Sequence, residues 1–383
     1  MSAVIDVVVR RFDIEVATPR LLAEVVSALG AGSAEMRPPE IKQVSTSLLE
    51  VRLEGSASAV SDVMDAVAGI DGVLIHNDRV RRQEQLRPSL FEERTPRGAM
   101  GTSTETVIAV VDSGIMAAHP DLKDHLWSGT IEGKPWKVGA RRIGEMKDSD
   151  VTDLDGHGTR LAGTILLAAA GAPGVRLLTV KFFDDDTLPG PDNGAKAIEF
   201  AMAAQPRPDI INLSWDLGMG SFELQRAIEQ ACTDGALVVI AAGNTGADND
   251  SVPGVPAYYR HLCPDQIIAV MATDQYHEKA SFSDYGKTTV DIAAPGVDIP
   301  TTRASLSRAS QKELAGYPFY RRYRSYSGTS AAAALISGMA ARIKAADRTI
   351  DAVELKKRLC ARAEQKPGLR SKCIDGKFLD PLA

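Results

Sequence analysis

Four side chains in this sequence carry groups that together could attack a carbonyl. They are Asp112 in "VIAVVDSGI", His157 in "DGHGTRLAGTI", Asn244 in "VVIAAGN" and Ser330 in "YSGTSAAAALISG". A serine hydroxyl is a poor nucleophile until a base takes its proton. An imidazole titrates near neutrality and suits that task. A carboxylate can hold one tautomer of the imidazole and stabilise its charged form, and an amide can donate to a developing oxyanion. Each residue also has a plainer use. Ser330 precedes a run of strong helix formers and would cap that helix. Asp112 closes an apolar run and would make a turn, and His157 at a helix start would be polar surface.

The choice between these uses depends on the elements that carry them. From Thr106 onward, short apolar runs ("VIAVVD", "VRLLTVKFF", "DIINLSW", "ALVVIAA", "QIIAVMA", "VDIAAP") alternate with helix-like stretches. Fully apolar strands between helices predict a parallel sheet with helices on both faces, an α/β architecture. Sites in such sheets lie beyond the carboxyl ends of the strands. Asp112, the segment "WDLG" and the segment "GNTG" each follow such a run, and His157 and Ser330 open helices. Ahead of this region, residues 1–85 read as a small α+β domain, roughly βαββαβ. "VIDVVVRRF", "TSLLEVRLEG" and "GVLIHNDRV" are strand-like, while "TPRLLAEVVSALG" and "SASAVSDVMDAVAGI" are helix-like. Residues 86–103, polar and without period, read as a linker. The catalytic candidates all fall in 104–383.

Composition narrows the function classes. The chain has 383 residues, is 44% hydrophobic and 25% charged, and carries a net charge of −6. That is an ordinary globular composition, and the mild negative charge argues against a nucleic-acid partner. No apolar run is long enough to span a bilayer. The start, "MSAVIDVVVRRFDIEV", reads as a strand rather than a secretory signal, so a cytoplasmic location is expected. The four cysteines then read as free thiols.

Taken in order, "VIAVVDSGIMAAHPDL", "DGHGTRLAGTI", "INLSW", "VVIAAGN", "DIAAPG" and "YSGTSAAAALISG" resemble the motifs of the subtilisin-like serine proteases over about residues 104–345. The resemblance implies a serine endopeptidase working through an acyl-enzyme. Asp112, His157 and Ser330 would be its triad, Asn244 its oxyanion donor, and a protein or peptide its substrate. It further implies that Ser214, Trp215, Asp216, Ala241 and Gly243 line the pocket for the residue before the scissile bond. Asp216 stands where relatives commonly have Gly, so a basic substrate residue is one expectation and a solvent-facing carboxylate the other.

The departures mark a distant, intracellular-type member. Arg160 and Leu161 replace the family's second His and the Val. Ala331 and Ala334 replace its Met and Pro. No cofactor is expected. Asp121, in "HPDL", matches a calcium carboxylate of relatives, but the Asn-containing loop that completes that site is missing, leaving calcium a minor possibility. The segment Arg303 to Arg324 is longer than the usual connection and holds six basic residues against one acid, which suits either a partner surface or a solvated insertion. Residues 1–85 match the element order of the family's propeptides and imply control of the site in cis. Two other readings stay open: a non-catalytic scaffold on a protease fold, and an active protease whose N-terminal domain is a permanent sensor.

Overall fold

The computed structural model describes residues 7–16, 27, 29, 40–43, 48–56, 73–77, 105–143, 146–183, 190–217, 220–252, 254–304 and 322–382. Most of the two helix-like stretches of the first domain, the linker, and most of the basic insertion lie outside them. The chain divides into two compact units, Met1–Arg87 and Pro88–Ala383.

The first unit contains a four-stranded antiparallel sheet. Its strands are β1 (Val7–Val16), β2 (Glu40–Gln43), β3 (Leu48–Ser56) and β4 (Val73–Asn77), in the spatial order β2-β3-β1-β4. β1 pairs with β3 from Val7 opposite Ser56 to Glu15 opposite Leu48. β1 and β2 are sequence neighbours but not sheet neighbours.

The second unit is built on a ten-stranded sheet. In chain order its described strands are β5 (Thr106–Asp112), β6 (Ser128–Ile131), β7 (Lys134–Lys137), β8 (Gly139–Ile143), β9 (Met146–Asp148), β10 (Val175–Lys181), β11 (Ala204–Gln205), β12 (Ile210–Leu213), β13 (Leu237–Ala241), β14 (Ile267–Thr273), β15 (Ile292–Pro295), β16 (Ile299–Thr302), β17 (Tyr323–Tyr326), β18 (Glu364–Gln365) and β19 (Lys377–Phe378). The large sheet runs β18-β19-β15-β14-β13-β12-β5-β10-β8-β9. From β15 to β8 every pair is parallel, and the two terminal pairs are antiparallel. β6, β7 and β11 form a small separate sheet, and β16 and β17 form a hairpin pair.

The helices are α1 (His157–Ala168), α2 (Pro191–Met202), α3 (Phe222–Thr233), α4 (Thr329–Ala346) and α5 (Ala352–Cys360). Strand alternation decides which face each covers. Ile108, Val110, Leu177, Ile210 and Val239 point into one core with α1, α4 and α5. Val107, Ala109, Val111, Leu178, Val180, Ile211 and Val238 point into the opposite core with α2 and α3. Both faces are thus buried, which is why the strands read as unbroken apolar runs. α4 is apolar nearly all round and is the central buried helix. Its Ala331–Ala334 run removes the bulk that would hold it off the sheet. Among the described residues no helix is long and apolar enough to cross a membrane.

Candidate active site

Asp112 is the last residue of β5 and is completely buried. Its Oδ1 accepts from the Ser113 amide at 2.8 Å and lies 2.8 Å from His157 Nδ1. Its Oδ2 is buried without a hydrogen-bond partner. The carboxylate is therefore committed to the imidazole, which it holds with Nδ1 facing it and Nε2 facing away.

Residues outside the expected set fix His157. Gly156, at φ 87°, precedes α1 in a left-handed conformation that suits glycine. Buried Asp153 then binds the start of the helix. Its Oδ1 accepts from Gly156 N at 2.7 Å and Ser113 Oγ at 2.9 Å. Its Oδ2 accepts from Thr159 N at 2.8 Å and Thr159 Oγ1 at 2.6 Å. Ser113 Oγ in turn accepts from Gly158 N at 2.9 Å. One carboxylate thus ties the end of β5 to the first turn of α1. Gly158 is required here, because a Cβ would lie 2.2 Å from the Gly114 carbonyl oxygen.

Ser330 lies in the first turn of α4, where free N–H groups and the helix dipole favour negative charge. Its side chain makes no cap. Instead its Oγ donates to the Ser214 carbonyl oxygen at 2.9 Å, and Ser214 Oγ bonds back to the Ser330 carbonyl at 3.3 Å. Asn244, just beyond β13, is exposed. Its Oδ1 accepts from Thr329 N at 2.9 Å and Thr329 Oγ1 at 3.1 Å. With the oxygen engaged, Nδ2 is left to donate.

The structure thus joins Asp112 to His157, Ser330 to Ser214, and Asn244 to the residue before Ser330. It does not bring Ser330 Oγ onto His157 Nε2. That nitrogen lies 3.0 Å from the hydroxyl of Tyr326, whose ring meets the imidazole edge-on, with centroids 5.7 Å apart and an interplanar angle of 82°. Arg160 lies over the other partner's face, its guanidinium carbon 5.0 Å from the Tyr326 ring centroid. Burial by itself pushes the His157 pKa down. The Asp112 carboxylate and Tyr326 outweigh it, Arg160 opposes them, and the imidazole pKa is raised to about 10.

Of the expected pocket residues, Trp215 turns inward. Its indole is buried against Phe182 and donates to the Val111 carbonyl at 2.8 Å. Asp216 is exposed. A Cβ built on Gly243 would stand 3.5 Å from its Oδ2, and one built on Gly254 would stand 3.6 Å away. Asp216 thus lies near two glycines, with Asp284 Oδ2 closer still to a Cβ at the Gly243 position, at 2.0 Å. Ala241 is buried at the end of β13, and Gly243, at φ 115°, donates its amide to Thr329 Oγ1 at 3.3 Å.

Sequence reasoning missed Asp153, Gly254 and Tyr326. Tyr326 opens the quoted serine motif, and an aromatic four residues ahead of Ser330 was the available signal. Asp121 has one buried oxygen, Oδ2, without a hydrogen-bond partner. Among the described residues no group of three or more His, Cys, Asp or Glu gathers to hold a metal ion.

Residues 103–376 match the family model described as "Subtilase family". Subtilisin DY of Bacillus licheniformis is 31% identical over 263 residues, covering 67% of this chain and 82% of that protein. The thermophilic serine proteinase of Bacillus sp. (strain AK1) is 35% identical over 241 residues, covering 61% of this chain. The match spans only 51% of that relative's length. A crystal structure of a cold-adapted subtilisin-like serine proteinase superposes with a TM-score of 0.56 at 22% identity, covering 77% of this chain and 98% of that one. At that identity the likeness concerns the fold.

Proposed function

The chain belongs to the subtilase family, and from that premise we propose that it is a serine endopeptidase using Ser330, His157 and Asp112. The observation that carries the reading is the 2.8 Å contact between Asp112 Oδ1 and His157 Nδ1. It leaves Nε2 as the basic atom. In this reading Ser330 Oγ turns from the Ser214 carbonyl onto Nε2, gives up its proton there and attacks the scissile carbonyl. The oxyanion receives hydrogen bonds from Asn244 Nδ2 and from the first turn of α4. His157 then protonates the leaving amine, an acyl-enzyme forms on Ser330, and water releases it through the same base. Every group needed comes from this chain, and no step is routed through a metal.

The finer reading names substrate and control. Asp216, near Gly243 and Gly254, favours a Lys or Arg before the scissile bond through a charge-assisted pair. Residues 1–85 act in cis as a regulatory domain, where tethering makes even modest affinity effective. A fluorophosphonate probe tests the central claim. It should label wild-type protein at Ser330 and leave S330A unlabelled. Equal labelling of both would sink the proposal.

A further inference from the structure

An imidazole nitrogen holds one hydrogen-bond partner at a time, so Tyr326 and Ser330 exclude each other at His157 Nε2. In this structure the phenol has the place, 3.0 Å away, and the serine is turned onto the Ser214 carbonyl at 2.9 Å. The position of Tyr326 is built into the fold. It ends β17, opposite Ile299 of β16. β16 is fastened to the helix of His157: Thr302 Oγ1 donates to the Thr159 carbonyl at 2.6 Å, and Thr301 Oγ1 donates to the Arg160 carbonyl. Gly163 of α1 makes room for this, since a Cβ there would meet Thr302 Oγ1 at 2.3 Å.

Arg160 completes the arrangement. Its guanidinium lies over the Tyr326 ring at 5.0 Å, and its Nη2 is 3.6 Å from Asp155 Oδ1. A cation against an aromatic face is worth roughly 0.5–2 kcal/mol. That is enough to favour one ring position and small enough to be overcome by a bound substrate. The ionisable groups facing His157 are then Asp112 from β5, Tyr326 from β17 and Arg160 from its own helix, with Asp155 paired to Arg160.

We propose that Tyr326 is a gate on the general base: its hydroxyl caps His157 Nε2 in the resting enzyme, and catalysis requires it to leave so that Ser330 Oγ can take its place. Arg160 holds the gate shut by packing on the ring. The proposal rests on the serine endopeptidase reading, yet the capping contact is measurable without any turnover.

The test is Y326F, which keeps the ring and removes the hydroxyl. In an S330A background, which prevents self-digestion, the His157 imidazole is titrated by NMR, its signal assigned by its loss in H157Q. With His157 protonated at neutral pH, Nε2–H donates to the phenol oxygen. The gate therefore predicts a midpoint lower than in S330A alone by roughly one pH unit, as expected for a lost hydrogen bond to a charged group, and a raised midpoint overturns it. With Ser330 restored, a fluorophosphonate should label Y326F about tenfold faster than wild type at pH 7, because each unit of lowered pKa multiplies the neutral imidazole about tenfold there. An unmoved midpoint overturns the gate whatever the labelling does. A lowered midpoint with equal or slower labelling than wild type overturns it as well, making Tyr326 a positioning partner of the base. A lowered midpoint with no labelling of either protein supports the cap and rejects the serine endopeptidase reading instead.

Discussion

The hydroxyl of Tyr326 and Nε2 of His157 lie 3.0 Å apart, at the one imidazole position that a serine nucleophile would need. The opposite nitrogen is 2.8 Å from Asp112. His157 is therefore engaged at both ends, and this governs how the protein should respond to pH.

The folded-state pKa of His157 is raised to about 10, above the ordinary histidine value of about 6.5. The protonated imidazole consequently stabilises the fold in full below about pH 6.5, and that contribution is lost as pH rises through about 10. Thermal unfolding of S330A should show a Tm falling across the alkaline range. The double variant with H157Q should lack that part of the slope. Since the base must be neutral to act, kcat/KM should rise across the same range.

Asn244→Ala removes the proposed oxyanion donor while leaving the Asp112–His157 pair in place. Turnover should fall on the order of 10²–10³-fold with KM nearly unchanged, because the lost bond is made chiefly in the transition state. Steady-state kinetics on a peptide substrate measure both. A rise in KM at constant kcat would instead make Asn244 a ground-state contact.

The charge preference proposed for Asp216 is open to direct test. Peptides carrying Arg before the scissile bond should be cut faster than those carrying Leu or Phe, and Asp216→Gly should abolish the difference. If the variant keeps the preference, another residue is responsible.

Asp153→Asn should cost about 1–3 kcal/mol of stability, since a buried amide nitrogen would face donors that now meet a carboxylate oxygen. It should lower kcat as well, because the first turn of α1 carries His157. Chemical denaturation and kinetics on the same preparation separate the two effects. Unchanged stability would show that the network is dispensable.

Release of the N-terminal unit should activate the enzyme. An engineered protease site placed in residues 86–103 allows the full chain to be nicked after folding. Peptidase activity should rise once the two parts are separated by chromatography and fall again when they are recombined. Activity indifferent to both steps would point to recruitment of a partner instead.

The parallel sheet was legible because both of its faces are buried: "VIAVVD" or "ALVVIAA" cannot be a half-exposed strand. Asp112, His157, Asn244 and Ser330 were weak candidates singly, each merely following an apolar run or opening a helix, and stood out only through the ordered motifs that resemble the family. What escaped depends on contacts between distant segments. Asp153 looks like one acid among several in "DVTDLDG", and only the meeting of β5 with α1 makes it a clamp. Trp215 was expected along the pocket from the family resemblance, and nothing local showed that its indole would be fastened to Val111 of the adjoining core. Tyr326 was visible as a residue, but its position follows from the β16–β17 register and from the threonines that bind β16 to α1. No local pattern encodes a register.

Gly338 of α4 is pressed against α1 so closely that a Cβ would stand 2.2 Å from the Ile165 carbonyl oxygen. Ile165 is eight residues in from His157, and Gly338 is eight residues in from Ser330. At 1.5 Å per residue both functional ends lie about 12 Å from the crossing point. The two helices cross like the equal blades of a pair of shears, held close at the crossing by a missing methyl group. A side chain at the pivot would part the base and the nucleophile together while leaving each correctly seated on its own helix. A defect of that kind would act on the proposed chemistry from about 12 Å away.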